Sequence, residues 1–439
     1  MFAGGSSSSS SSAVSSAIKQ SMDKKGLFRV LAVGDVMLGR LVDGLFPTHN
    51  DDPEHAGHAK RYLKAVSGGP ERLVRYKKQQ YKFVWGDTLP LFQEADVRVI
   101  NLETSVTTHD VKNPKTFNYR MHPANLRALH EAHVDYCSLA NNHTLDYCEE
   151  GLFDTIKHMN KSGIKWAGAG RNLSEARAPA IINCQGRKIA LFSFSDHPKD
   201  WAASENKPGI NYLDIYNYTK EDINMIKQLI QDTDKRERDK DGKGLNMVVA
   251  SLHWGPNYLW VPEPQFESFA HDLIDVCGVD MIHGHSSHHI QVLFFFLHDF
   301  GLYFLSEQLF FLENKQGIEI YKGKPILYGC GDFVDDYAID PEYRNDLGFC
   351  YFCNFHWGKH DSPRHVEGSK EAEREEVPVV DHLRLVPTKI KLFSVTATSI
   401  PEKDKKWLET HMSSLCAKYR TKVEVKEDGS LILTSTPST

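Results

Sequence analysis

Short apolar runs separated by polar turns make up most of the chain after residue 26. Leu27–Val33, Val97–Leu102 and Met247–Leu252 are apolar runs of strand length. Between such runs lie segments with apolar positions at helical spacing, as in Pro123–His133. Strands that alternate with helices predict an α/β fold built on a largely parallel sheet.

Polar side chains able to bind a metal follow five of these apolar runs directly. Carboxyl ends of parallel strands meet at one edge of a sheet, where ligands bind, so we expect these side chains to lie together. Any single one is more typical of a turn or a helix cap, but five similar strand ends favour a ligand site. The residues are Asp35, Glu103, Asn142 with His143, His253, and His285 with His288.

This mixture of carboxylate, amide and imidazole is typical of a site for a pair of divalent transition metal ions, such as Mn, Zn or Fe. Two ions about 3.5–4 Å apart can hold a phosphate ester and activate a water molecule at neutral pH. His143, beside Asn142, can then protonate the leaving group. We therefore predict a metal-dependent, phosphoesterase-like hydrolase with His143 as its acid.

Composition narrows the possible partners and compartments. The 439 residues are 41% hydrophobic and 25% charged with a net charge of −6, which is typical of a globular protein and disfavours nucleic acid. The eight cysteines lie mostly in apolar runs, which favours a reducing compartment. With neither a signal-peptide core nor a membrane anchor recognisable, we predict a cytoplasmic protein. Cys350–Cys353 has zinc-ligand spacing but no second pair, so we interpret it as part of a strand.

The chain divides into three predicted parts. Residues 1–25 are Ser-rich and too poor in apolar residues to fold, which predicts a disordered tail. Residues 26–400 are predicted to form one domain, and residues 401–439 a helix and a tail that frays after Glu427.

Six motifs in order resemble those of the CapA family, which is named for the bacterial capsule and poly-γ-glutamate synthesis protein. The resemblance runs from about Phe28 to about Tyr337. The CapA family is similar to calcineurin-like metallophosphoesterases, which implies a four-layer α/β/β/α sandwich. The motifs are Gly34–Arg40, Asn101–Glu103, Ala140–His143, His253–Gly255, Gly284–His288 and Tyr328–Phe333.

The resemblance also implies roles for individual residues. Asp35 takes the place of the first-strand aspartate, Glu103 that of the bridging carboxylate and His143 that of the general acid. The remaining implied metal ligands are Asn142, His253, His285 and His288.

Three departures from the metallophosphoesterase pattern concern the metal site. Met37 stands where the Asp-x-His pattern has histidine, so the first metal site is short of one ligand. The bridging position is the longer Glu103. The paired histidines are spaced one residue wider, which leaves His283 and His289 as competing candidates.

Two other functions remain open. One is a non-catalytic accessory protein that binds an anionic polymer such as polyglutamate, in which metal ions or Arg40 and Arg120 bind the carboxylates. Whether the chain is a hydrolase or such a binding protein, we predict that Arg40 and Asn141 contact the substrate or polymer. The other is a scaffold whose metal site has decayed at Met37.

The segment Val292–Gln316 interrupts the CapA-like pattern between two matching stretches. It is rich in Phe and Leu, as is a translated pyrimidine-rich sequence, and valine codons begin with GT while a glutamine codon can end in AG. We therefore hypothesise a retained intron, which fails if every mature transcript contains the segment. A membrane helix is disfavoured because polar groups interrupt it, namely His298, Asp299, Glu307 and Gln308.

Overall fold

The computed structural model describes residues 26–257, 264–290, 318–358, 376–417, 419 and 421–435. The predicted disordered tail, residues 1–25, and the hypothesised insertion, residues 292–316, both lie outside these ranges.

Twenty strands and ten α-helices are assigned in the described ranges. The strands are β1 Phe28–Val36, β2 Val97–Leu102, β3 Ser105–Val106, β4 Arg120–Met121, β5 Tyr136–Ser138, β6 Lys165–Ala167, β7 Ala169–Gly170, β8 Ala180–Cys184, β9 Arg187–Ser195, β10 Gly209–Ile210, β11 Met247–His253, β12 Met281–His285, β13 Ile318–Tyr321, β14 Lys324–Leu327, β15 Asp332–Val334, β16 Leu347–Gly358, β17 Val377–Ile390, β18 Val395–Thr396, β19 Thr421–Val425 and β20 Leu431–Ser435. The helices are α1 Arg40–Asp43, α2 Pro53–Ala65, α3 Gly69–Gln79, α4 Leu89–Phe92, α5 Leu126–Glu131, α6 Cys148–Ser162, α7 Leu173–Arg177, α8 Lys220–Asp241, α9 Pro264–Asp275 and α10 Glu402–Ala417.

Two large sheets organise these elements. The first sheet has ten strands in the order β19-β20-β17-β16-β1-β2-β5-β6, with β15 added beside β1 and β18 beside β17. The second sheet has six strands in the order β13-β14-β12-β11-β9-β8. Strands β1, β2, β5 and β6 run parallel in the first sheet, as do β9, β11, β12 and β14 in the second.

Both faces of each sheet are buried, which explains why the strands read as continuous apolar runs. In β1, Leu31 and Val33 join the core under the helices, whereas Val30 and Ala32 join the core between the sheets. This is the period-two alternation of a strand covered on both sides.

Helices cover the outer face of each sheet and complete four layers. Helices α1–α6 pack on the outer face of the first sheet, and α8 and α9 pack on that of the second. The four-layer α/β/β/α sandwich is therefore confirmed. Helix α10 instead contributes Leu408, Met412 and Leu415 to the core between the sheets.

The C-terminal residues extend the first sheet, where the sequence pattern indicated a fraying tail. Strand β20 pairs with β19 and with β17, and its Leu431 and Leu433 are buried between the sheets. A run of only five residues carries too little periodicity to be recognised before its pairing partner is known.

Two further observations concern the whole described chain. All eight cysteines are free, and six of them are buried. In the ranges that the structure describes, no helix combines the length and apolar character needed to span a lipid bilayer.

Candidate metal centre

The two sheets meet at the carboxyl ends of their central strands. Asp35 at the end of β1 pairs in register with Asn101 of β2, and His253 of β11 pairs with His285 of β12. These strand ends carry the side chains predicted from the sequence, and the sandwich brings ends from both sheets to one place.

Two glycines allow backbone segments to approach this edge closely. A Cβ atom on Gly34 would lie 1.8 Å from the carbonyl oxygen of Gly331, and one on Gly284 would lie 2.2 Å from that of Tyr328. The amide of Asp35 donates a hydrogen bond of 3.0 Å to the carbonyl of Gly331. Because residue 34 is glycine and has no Cβ atom, β15 can lie beside β1, where Asp332 pairs with Asp35.

Asp35 belongs to two three-residue groups of potential metal ligands. One group is Asp35, His253 and His285, and the other is Asp35, His288 and Asp332, with the ligand atoms of each group within 4.8 Å of one another. Asp35 is the carboxylate common to both groups, and Glu103, to which the resemblance assigned the bridging position, belongs to neither. The reason is that Asp35 lies between the β11–β12 strand ends and β15.

Asp332 was not chosen from the sequence as a ligand. It lies within the motif Tyr328–Phe333, and the signal available was a carboxylate five residues after the buried strand β14, which ends at Leu327. It supplies the third donor of the group that also contains Asp35 and His288. Met37 itself is buried, and its Sδ atom accepts a hydrogen bond of 3.2 Å from the amide of Gly39.

Several donor atoms at this edge are buried without a hydrogen-bond partner in the described chain. A buried polar atom without a partner costs about 1–3 kcal/mol, so several at one place require an explanation. Carboxylate, amide and imidazole donors suit Mn, Zn or Fe ions, so the residues present fit a bound metal. These atoms are Asp35 Oδ2, Asn142 Oδ1, His253 Nε2 and Asp332 Oδ2.

Hydrogen bonds fix which nitrogen of His285 is available. His283 Nε2 donates to the carbonyl of Val33 at 2.9 Å, so His283 Nδ1 accepts from the Ser251 hydroxyl at 3.0 Å. The Ser251 oxygen then accepts from His285 Nε2 at 3.0 Å. His285 Nδ1 is thus left as an acceptor, and its hydrogen-bond partner in this structure is Nδ1 of His253 at 3.0 Å. This arrangement would orient His285 as a ligand, because its Nδ1 contacts only another candidate ligand. His283 is instead bonded to Ser251 and to the carbonyl of Val33.

The ionisable groups here have strongly shifted pKa values. Burial raises the pKa of Asp35 to about 6, and burial followed by the neighbouring Asp35 raises the pKa values of Glu103 and Asp332 well above their ordinary range. Burial lowers the pKa values of His253 and His285 well below 6.5. Neutral imidazoles are ready to ligate, and a bound cation would favour the ionised carboxylates.

Glu103 faces two histidines rather than joining either group of donors. Its Oε2 lies 3.8 Å from Nδ1 of His253, and its Oε1 lies 3.9 Å from Nε2 of His143. Asn101, which sequence reasoning missed although its motif was noted, donates through Nδ2 to both Asp35 and Glu103. Asn101 therefore holds the two carboxylates in place.

His143 is positioned by residues that the sequence did not reveal. Its Nδ1 lies 2.6 Å from Oδ2 of Asp146, which also accepts from the amide of Tyr119; the other oxygen of Asp146 accepts from Lys115 Nζ at 2.6 Å. The ring of Tyr119 stacks on the imidazole at 3.7 Å between centroids. Burial lowers the pKa of His143 to about 4. The Nε2 atom is left facing Glu103 and the donor cluster.

The two predicted substrate-binding residues have other contacts. Asn141 donates to Asn101 Oδ1 and to the carbonyl of Leu102, both at 2.9 Å, and its own oxygen accepts from the amide of His143. This buried amide braces strand ends, and the substrate role predicted for it has no support in these contacts. Arg40 pairs with Asp336 and keeps 19% of its side chain exposed.

Comparison with known proteins gives a family and named relatives. The family described as bacterial capsule synthesis protein PGA_cap matches residues 29–295. A probable polyglutamine synthesis accessory protein of Mycobacterium tuberculosis is 36% identical over 340 residues, which cover 73% of this chain and 79% of that protein. The capsule biosynthesis protein CapA of Bacillus anthracis is 28% identical over 259 residues, covering 58% of this chain and 54% of that protein.

Among solved structures, a 5'-nucleotidase precursor from Thermus thermophilus is similar at 13% identity and a TM-score of 0.37. The similar region covers 81% of this chain and 55% of the 5'-nucleotidase chain. This likeness is too weak to indicate an activity or a ligand.

Proposed function

This chain belongs to the bacterial capsule synthesis family PGA_cap, and on that premise we propose that it is a metal-dependent hydrolase acting on a phosphoester. The resemblance to the CapA family is thereby confirmed, whereas the metal ions and the hydrolysis are our proposal. The observation that carries it is the set of buried donor atoms without partners around Asp35 and Asp332.

Asp35, His253 and His285 would hold one ion, and Asp35, His288 and Asp332 the other. Ions bound there supply Lewis acidity and lower the pKa of water. They also neutralise carboxylates that otherwise repel one another in a buried place. The amide oxygen of Asn142, buried and without a partner, would complete the donor set.

His143 is the group of this chain that we assign to proton transfer. Asp146 holds its Nδ1 and keeps Nε2 directed at the cluster, so Nε2 is the atom that delivers a proton to the leaving oxygen. An anionic phosphoester beside this ring would raise the pKa that burial has lowered. Asp146 and Tyr119 are positioning residues, since their contacts are to the imidazole.

The first experiment is elemental mass spectrometry on the purified full chain, before and after reconstitution with Mn²⁺ or Zn²⁺. We expect about two ions per chain and a reduced number in Asp35→Asn and Asp332→Asn. Glu319→Gln, a buried glutamate on β13 away from this edge, is the matched control and should keep both ions. No bound metal after reconstitution would contradict the proposal.

The second experiment tests His143 with bis(p-nitrophenyl) phosphate as the probe. His143→Ala should lower turnover by about 10²–10⁴-fold while metal content stays at the wild-type level. His130→Ala, which alters an exposed histidine of α5, should change neither. Unchanged turnover in His143→Ala would remove this residue from the mechanism.

A second candidate function is an accessory role in binding an anionic polymer such as polyglutamate. It is favoured by the M. tuberculosis relative, which is named as a polyglutamine synthesis accessory protein, and by the partly exposed guanidinium of Arg40. Poly-γ-glutamate binding by the metal-loaded chain, with no turnover of any phosphoester, would favour this role over hydrolysis. In that case Arg40→Gln should weaken binding, while His143→Ala should not.

A further inference from the structure

A cavity of about 710 Å³ borders the segment Asp335–Ile339, just after the candidate ligand Asp332. This volume lies within the range of sites for small organic ligands, which are mostly apolar with a few polar groups. Its apolar walls come from α1, α2, the segment after β15 and the β17–β18 turn. The main apolar residues are Leu41, Tyr62, Ile339, Ile390, Leu392 and Phe393.

One wall is formed by a turn whose sequence is unusual for its backbone. Ile390 of β17 pairs with Val395 of β18, and the amide of Lys391 donates to the carbonyl of Ser394 at 2.8 Å. The two central residues, Leu392 and Phe393, have φ values of 55° and 69°. Positive φ at both positions normally selects Asn-Gly in such a two-residue hairpin loop.

The large side chains in this strained turn have a packing role. The rings of Phe393 and Tyr62 pack edge-on with their centroids 5.8 Å apart. Both residues line the cavity together with Leu392. Strain of this kind persists where the surrounding structure holds it, often beside ligands. The turn thus presents two apolar side chains to the cavity at positions where glycine would relieve the strain.

The charges around the cavity leave one cation available. Lys391 is exposed and has no ion pair among residues that the structure describes. Most of the other charged lining groups are engaged within the protein: Asp336 with Arg40, Asp346 with Arg344 and Lys389, Lys389 also with Asp404, and one oxygen of Asp335 with the amide of Tyr337. The second oxygen of Asp335 is buried and has no hydrogen-bond partner in the described chain.

We propose that this cavity binds a small amphipathic anion, with its apolar body against Leu392, Phe393 and Ile339 and its anionic group at Lys391. The site is separate from the metal centre, although both border the segment after Asp332. This inference goes beyond the proposed function and holds whether or not the chain hydrolyses phosphoesters.

The probe is 8-anilinonaphthalene-1-sulfonate, an aromatic anion of this class, titrated into the full chain and followed by fluorescence. We expect saturable binding of one probe per chain. Ala338→Trp, at an exposed lining position, should fill the cavity and weaken binding about tenfold. Lys391→Glu should weaken it about threefold, as expected for an exposed charge. Circular dichroism checks the fold of each variant, and Ile339→Asp serves if Ala338→Trp does not fold.

Two controls separate this cavity from other apolar surface and from the metal centre. Val425→Trp and Val425→Asp alter an exposed valine of β19 that does not line the cavity, and both should bind the probe as the wild type does. Asp35→Asn should also leave binding unchanged, with or without Mn²⁺. Equal binding by the wild type and the folded cavity variants, or loss of binding in Asp35→Asn, would overturn the proposal.

Discussion

The residues of the candidate metal centre, Asp35, His253, His285, His288 and Asp332, form a strand-end cluster. The outer face of the second sheet carries another cluster of buried and half-buried histidine, glutamate and tyrosine side chains, and its composition is similar. There, Nε2 of His271 lies 3.0 Å from Oε2 of Glu319, and the hydroxyl of Tyr328 donates to the same oxygen at 2.8 Å. The hydroxyl of Tyr419 donates to Glu267 at 2.6 Å. Each of these polar groups has a partner within the protein.

The strand-end cluster differs in its unpartnered atoms rather than in its residue types. Asp35, His253 and Asp332 each keep a buried donor atom without a hydrogen bond. A related contrast appears within one strand. His283 is bonded to a serine and to a backbone carbonyl, whereas Nδ1 of His285, two residues on, is bonded to the imidazole of His253, another candidate ligand. A buried histidine therefore indicates a ligand only when its hydrogen-bond partners have been accounted for.

The largest expected effect comes from removing the shared carboxylate. Asp35→Asn should lower phosphodiester turnover on the order of a thousandfold, because both metal groups lose a ligand. Turnover and metal content measured on the same preparation test this together. Glu319→Gln, from the partnered cluster, should leave both values near those of the wild type, and a comparable loss there would remove the distinction between the clusters.

Metal addition should stabilise the protein through the strand-end cluster alone. At a free Mn²⁺ concentration one hundred times the Kd, the gain in the free energy of unfolding should be about 2.7 kcal/mol, measured as a rise in Tm. Asp332→Asn should reduce this rise. If Mn²⁺ leaves Tm unchanged in the wild type, the cluster does not bind this ion.

Removal of a hydrogen-bond partner should lower the free energy of unfolding only in the cluster that contains His271 and Glu319. Glu319→Ala leaves His271 and the buried hydroxyl of Tyr328 without their acceptor, and should lower the free energy of unfolding by about 1–3 kcal/mol. In metal-free protein, Asp35→Asn should not lower it, because the buried carboxylates of Asp35, Glu103 and Asp332 repel one another. Urea unfolding compares the variants, and equal losses would contradict the contrast.

The smallest effect is a pH dependence of the pair formed by His271 and Glu319. Burial acts to lower the pKa of His271, but the hydrogen bond and the charge of Glu319 outweigh it and raise the pKa above 6.5. A raised folded-state pKa gives stability that is complete below pH 6.5 and is lost as pH rises through the folded value. Since 30% of the His271 side chain is exposed, we expect less than about 1 kcal/mol.

Urea unfolding at pH 6 and at pH 9 measures this contribution. His271→Gln should reduce the difference in stability between the two pH values, because the variant cannot titrate there. An unchanged difference in His271→Gln would assign the pH dependence to other groups.

The sequence by itself indicated an α/β fold through its apolar runs, the four layers through its resemblance to a known family, and most of the strand-end residues. Apolar runs buried on both faces are recognisable locally, and the residue after each run is fixed by chain order. Asp35, Asn142, His143, His253, His285 and His288 could therefore be chosen without a structure, and the motif order indicated the family correctly. The periodicity that marks a strand is a property of neighbouring residues only.

Tertiary structure alone decided the pairing of these residues. Asp332 reaches Asp35 because β15 adds beside β1, and Tyr119, which is far from His143 in sequence, stacks on its imidazole. The choice between His283 and His285 depends on a serine and a carbonyl from two other strands. Hydrogen bonds between residues distant in sequence arise only when the chain has folded, so they are decided by packing rather than by local pattern.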